Sequence, residues 1–255
     1  MIQYIVGGTI SFLAGFAIPQ MSRFLMKFYP CSMHSYVGDL IRFSCQNRRK
    51  KHNVKIDNVV RNWLKKQLFF NKLGCGFLLA ATYVFLKYYI NNFVGAGYPV
   101  GLLMGLIFLL GFAANIDKRC HLIPDIITFP MFMVAFLISA YVAEMNLYFN
   151  LSISPLDSII SAIVVYMLCF TIALIYYFKQ PFAFGGGDVK MLSALAAFTG
   201  LTGMGHILLL SFIFMYIYCK IKGVKFAPLA PFIFAAFLVW LALKIILFAH
   251  FGITI

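Results

Sequence analysis

Only seven of the 255 residues are acidic, so the position of each one is informative. Asp39 and Asp57 lie in a strongly basic stretch, where charge balance is the ordinary reading. Glu144 and Asp157 flank a connection that has no Lys or Arg. The other three, Asp117, Asp125 and Asp188, each stand where a long apolar run meets a short basic break. An ionisable group at the edge of an apolar helix bundle is costly, which makes it a functional candidate by default. Two carboxylates that share a site cannot both ionise easily. One keeps a proton and serves as acid while the other activates water as base. That division of labour hydrolyses a peptide bond without a metal or a covalent nucleophile.

Each aspartate also has a plainer reading. Asp125 follows Pro124 and reads first as an N-cap that accepts the free N–H groups of the next helix. Asp117 closes the run in GFAANIDKRCHLIPD (111–125). There a carboxylate opposes the dipole of its own helix, and the adjacent Lys118 and Arg119 point elsewhere on a helix. Asp188, in FGGGDVK (184–190), opens a helix whose dipole favours its ionisation. A turn and a cap would also account for that stretch. Gly185, Gly186 and Gly187 are read as giving an extended peptide room beside Asp188, with Lys190 and Asp125 in supporting positions. The candidate reacting pair is Asp117 with Asp188, provided the fold brings their segments together.

The elements that must position them are membrane helices. The chain is 63% hydrophobic and 11% charged, against about 25% charged in soluble domains. The fold class is therefore an all-α polytopic membrane protein. Eight apolar segments are predicted, near 2–20, 73–92, 97–116, 126–147, 157–178, 189–204, 205–221 and 230–250. The sixth is short and rich in small residues (SALAAFTG, 193–200), which suits helix packing rather than lipid exposure. The first run has no basic residue before it and is expected to be a retained span. This divides the chain into a first helix (1–20), a basic loop (21–72) and a seven-helix membrane domain (73–255).

Of the 21 Lys and Arg residues, 12 lie between Arg23 and Lys72. The connections 117–125, 179–188 and 222–229 hold further basic residues, whereas 91–98 and 143–157 hold none. By the positive-inside rule the basic connections, and with them all three boundary aspartates, face the cytosol. A basic loop tethered to a bilayer lies on anionic headgroups rather than on nucleic acid. Within it, NVVRNWLKKQLFF (58–70) is compatible with an interfacial amphipathic helix. The six cysteines form no CxxC pair and are expected as reduced thiols.

At these residues the sequence resembles a known family. FGGGDVKMLSALAAFTG (184–200) closely resembles the GxGD segment of the type IV prepilin leader peptidases, bacterial inner-membrane aspartic proteases. NIDKRCHLIPDIITFP (115–130) resembles that family's other catalytic segment, and VKFAPLAPFI (224–233) its late proline-containing segment. SFLAGFAIPQMSRF (11–24) is a looser match to its N-terminal signature. The resemblance covers most of the chain and rests on the GGGD and IPD segments together, since a lone GxGD is weak.

The resemblance implies that Asp117 and Asp188 are the catalytic pair. It gives Asp125 a lesser role, because the family also carries Asn there. The implied reaction removes a short basic leader from a type IV prepilin, on the cytosolic side of the inner membrane. No cofactor is implied for proteolysis. Many members also methylate the new N-terminus with S-adenosylmethionine. Larger members hold zinc on paired CxxC motifs, which this chain lacks. Cys31, His34, Cys45 and His52 do not have a zinc spacing, so no metal is expected and methyl transfer rests on less of the pattern than proteolysis does. The implied partners are the prepilin and membrane lipids.

Rival readings are a GxGD-type intramembrane protease with another substrate, a proton-coupled transporter, and a non-catalytic assembly factor. A transporter would place its carboxylates near the bilayer midplane, and an assembly factor could lose one of the pair. Neither pattern is present.

Overall fold

The computed structural model describes residues 2–28, 54–94, 99–120, 123–144, 153–177, 186–224 and 227–251. Among them the regular elements are all helical: α1 (Ile2–Phe28), α2 (Val54–Tyr89) continued by a π turn (Ile90–Val94), α3 (Val100–Cys120), α4 (Asp125–Glu144), α5 (Pro155–Tyr177), α6 (Gly186–Lys222) and α7 (Ala230–Phe251). All seven are long and apolar enough to cross a membrane. The all-α polytopic class expected from composition is the observed one. Cys31, His34, Asp39, Cys45 and His52 lie outside the described residues.

The interfacial helix expected over 58–70 and the span expected over 73–92 are one element. α2 runs unbroken for 36 residues, a length of roughly 54 Å. No Gly or Pro separates the basic half from the apolar half, because its two glycines lie at 74 and 76, inside the apolar part. The chain divides into two units, Ile2–Ala81 and Thr82–Ile255. In the first, α1 and α2 run antiparallel. Phe12 meets Phe77 with ring centroids 5.2 Å apart, and the Lys72 ammonium sits 5.2 Å over the Phe16 ring. The backbones approach so closely that a Cβ on Gly15 would collide with the Cys75 carbonyl, and one on Gly76 with Phe12. Small residues make such crossings in membranes.

In the second unit the helix starts are well specified. α5 opens with a capping box. The Asp157 N–H donates to Ser154 Oγ at 3.1 Å, and that hydroxyl donates back to Asp157 Oδ2 at 2.7 Å. Pro155 occupies the first helical position, where its missing N–H costs nothing. Neighbouring helices are tied by serine hydroxyls that donate to carbonyls: Ser139 of α4 to Ile153, Ser158 of α5 to Ala197, and Ser193 of α6 to Ala162 at 2.8 Å. The last two bonds set the first part of α6 antiparallel to α5.

α6 carries the main departure from the expected boundaries. Segments 189–204 and 205–221 were expected to meet at 204/205, but the helical dihedrals break at Gly200, with φ 73° and ψ 178°. Gly187 at its start packs on Ile123. Tyr218 near its finish packs on Phe232, with ring centroids 5.3 Å apart. Ile123 and Phe232 lie beside the starts of α4 and α7, which the Asp117 carboxylate and its neighbours bring to one end of the bundle, as described below. Both ends of α6 therefore lie at that end, and the chain doubles back at Gly200. Every residue from Met191 to Gly200 is buried, as the small side chains of 193–200 suggested. α5, by contrast, exposes Ile163, Met167, Phe170 and Leu174, the apolar face a membrane helix turns to lipid.

Gly200 is needed twice over. Its dihedrals lie in a region essentially closed to side-chain residues, and a Cβ there would sit 3.0 Å from Ile153 Cγ2. Gly200→Ala is expected to cost about 1–3 kcal/mol, read as a lower thermal midpoint of the detergent-solubilised protein. An unchanged midpoint would show that the turn does not depend on this residue.

Candidate active site

Asp117 occupies the last turn of α3 and is only 4% exposed, behind the buried Ala113, Ala114 and Ile116. Leaving a carboxylate there without compensation would be costly. The structure supplies the compensation from α7. The Ala230 N–H donates to Asp117 Oδ2 at 3.0 Å. The amides at the start of α7 can be accounted for one by one. Pro231 has no N–H, while those of Phe232 and Ile233 reach the Leu229 carbonyl at 3.0 and 3.1 Å. The Ala230 N–H is the one left over, and Asp117 receives it. Asp117 thus opposes the dipole of its own helix but caps that of α7.

Asp125 does not behave as the expected N-cap. The Pro124 carbonyl accepts from Ile127 N–H at 3.0 Å, so Pro124 holds the cap position and Asp125 is the first helical residue. Its carboxylate instead accepts from Lys190 Nζ at 2.6 Å. Proline cannot donate but can supply a capping carbonyl, and this frees the Asp125 side chain to cross to α6.

Asp188 sits in the first turn of α6, with its Oδ1 atom sealed from solvent. Beside it, Gly187 lies directly on the backbone of Ile123. A Cβ there would come within 2.7 Å of the Ile123 carbonyl oxygen. Gly186 is different, with open space where its Cβ would be. Gly185 lies outside the described residues. At least one glycine of the triplet is thus required for helix-to-loop packing inside the protein, rather than for the substrate clearance expected of all three.

These contacts bring Gly187 and Lys190 of α6 against Ile123 and Asp125, and Ala230 of α7 against Asp117, all at one end of the bundle. Asp117, Asp125 and Asp188 each sit at a helix N-terminus, those of α7, α4 and α6 respectively. The dipole argument that favoured Asp188 alone as the anion therefore applies equally to Asp117. Among the described residues no three or more His, Cys, Asp or Glu side chains gather as a metal site. Chemically, the end offers two shielded carboxylates on separate helices, each beside a source of positive potential.

Residues 103–220 match the type IV leader peptidase family. Over this stretch the chain is similar to that family. A prepilin leader peptidase/N-methyltransferase of Vibrio cholerae is 30% identical over 143 residues, which is 54% of this chain and 54% of the relative. The chain thus matches about half the length of that curated relative. No solved structure matches. The family match contains Asp117, Asp125, Gly186, Gly187, Asp188 and Lys190 but ends before Ala230. Ala230 is also the group that reading the sequence missed. The signal available was the pair of prolines in APLAP (227–231), which fixes a helix start and removes one of its donors.

The Lys190–Asp125 pair joins the two segments from outside, with side chains 42% and 71% exposed. Exposed pairs contribute about 0.2–1 kcal/mol. Asp125→Asn is accordingly expected to lower peptidase turnover by no more than about fivefold. A loss as large as that of an Asp117 variant would promote Asp125 to an essential group.

Proposed function

We propose that this protein is a membrane aspartic endopeptidase that removes the basic leader of type IV prepilins at the cytosolic face of the bacterial inner membrane. The observation that carries the reading is the gathering of the Asp117 and Asp188 segments at one end of the bundle, with Asp117 buried and held by a helix-start amide. The family match over 103–220 and the name of the Vibrio cholerae relative support the substrate class. The basic breaks at that end support the cytosolic orientation.

In the proposed reaction, water bonds to the scissile carbonyl carbon as one carboxylate takes its proton. The other, protonated, aspartate gives its proton to the amide nitrogen as the C–N bond breaks. The products are a free carboxyl and a free amine, and one proton then returns between the aspartates through solvent. Gly187 and Lys190 support the α6 turn on which Asp188 stands, and Asp125 holds Lys190.

N-methylation, which the relative's name also carries, requires S-adenosylmethionine. Among the described residues Asp117 is engaged by Ala230, Asp125 by Lys190 and Asp157 by Ser154 at the opposite end of the bundle. No methyl-transfer step is assigned to the residues described.

The test is co-expression with a type IV prepilin, following leader removal by gel shift. A shortened pilin that appears only with this protein supports the reading, and a prepilin left at full length refutes it.

A further inference from the structure

We propose that the backbone N–H of Ala230 is a positioning group of the active site, which fixes the orientation in which the Asp117 carboxyl group meets its proton. The inference deepens the aspartic peptidase reading and rests on it. Three observations carry it. The bond is 3.0 Å long and closes on a residue that is 4% exposed, so water competes poorly for it. The rest of the α7 start is committed elsewhere, since Phe232 and Ile233 reach Leu229 and Pro231 has no N–H. The remaining amide is thus aimed at one acceptor. Finally, Ala230 itself is fully buried, at 0% exposure, so the donor cannot swing into solvent.

A backbone amide donates and never accepts. Its bond therefore commits Asp117 Oδ2 as an acceptor. The amide also freezes the orientation of the carboxylate, which an acid–base group needs in order to meet its proton. Residues 227–230 therefore belong to the active site although they lie beyond the family match, because they set where the amide points.

Ala230→Pro removes the donor at a first helical position, where proline is otherwise well tolerated. Ala230→Gly keeps the donor. At equal membrane levels, Ala230→Pro is expected to lower kcat by about 10- to 100-fold, the loss of one buried hydrogen bond. KM for the prepilin should stay unchanged, and Ala230→Gly should restore kcat. A merely structural role would raise KM or reduce the amount of protein, and Gly would not rescue it.

A second measurement does not depend on the substrate. Isotope-edited infrared spectra of the purified protein, differenced against Asp117→Asn, read the Asp117 band directly. At neutral pH that band should shift in Ala230→Pro. A band insensitive to Ala230→Pro overturns the inference even if prepilin is cleaved. A protein that shows the expected shift but cleaves no prepilin overturns the substrate reading and leaves the role of the amide standing.

Discussion

Asp117→Asn and Asp188→Asn are each expected to abolish leader removal, lowering the rate by at least about 10³-fold. The substitution is nearly isosteric and keeps an oxygen, so the amide side chain that replaces Asp117 can still accept the Ala230 N–H. Packing and helix capping survive while the titratable proton does not, so the loss reports chemistry rather than folding. On the proposed paired mechanism, the double variant should be no slower than either single variant. The measurement is leader removal by gel shift, with each variant held at wild-type membrane levels. Cleavage that survives Asp188→Asn would reduce FGGGDVK to a turn and a cap. Cleavage that survives Asp117→Asn would leave the α7 amide holding a bystander.

The second large effect is expected at Gly187. A methyl there would lie 2.7 Å from the Ile123 carbonyl oxygen and 2.9 Å from its Cβ. Neither neighbour can step aside, because one is backbone and the other is buried. The first turn of α6 must move instead, and it carries Asp188 on the next residue. Misplacing a catalytic group by about 1 Å can cost on the order of 10²-fold, so Gly187→Ala should lose about that much activity. Overpacking should also remove about 1–3 kcal/mol of stability. Gly186→Ala is the comparison, since nothing lies within 4 Å of its added methyl. The expectation is a clear ordering, with Gly187→Ala the more damaging in kcat. If Gly186→Ala is equally damaging, the glycines serve clearance for the substrate peptide and the packing account fails.

Much of this arrangement was legible in the sequence. With so few acids in so apolar a chain, charge placement alone singled out Asp117, Asp125 and Asp188, and hydropathy marked the helices that carry them. Boundaries were less legible where backbone events decide them. The turn lies within FTGLTGMGH (198–206), where Gly200, Gly203 and Gly205 compete for it, and only the dihedrals single out Gly200. The Asp125 cap was misread because Pro124, which cannot donate, still supplies a capping carbonyl. Ala230 was invisible for a simpler reason: its contribution comes from the main chain and contact with Asp117 spans 113 residues. No side-chain pattern encodes such a bond directly.

The doubling back at Gly200 also bears on how the protein is made. The arm before it has about 14 residues and rises roughly 21 Å, short of the roughly 30 Å of a hydrocarbon layer. Its side chains from Met191 to Gly200 are all enclosed by protein, and its Ser193 hydroxyl donates to the Ala162 carbonyl of α5 rather than facing lipid. Such an arm is a poor candidate for independent partition from a translocon. The expected order is that α4, α5 and α7 enter first and the arm is threaded between them afterwards. Asp188 rides on this arm, so a nascent chain would carry its second carboxylate into place only at the last stage of biogenesis. Newly inserted but unassembled copies would then be inert toward the membrane proteins around them.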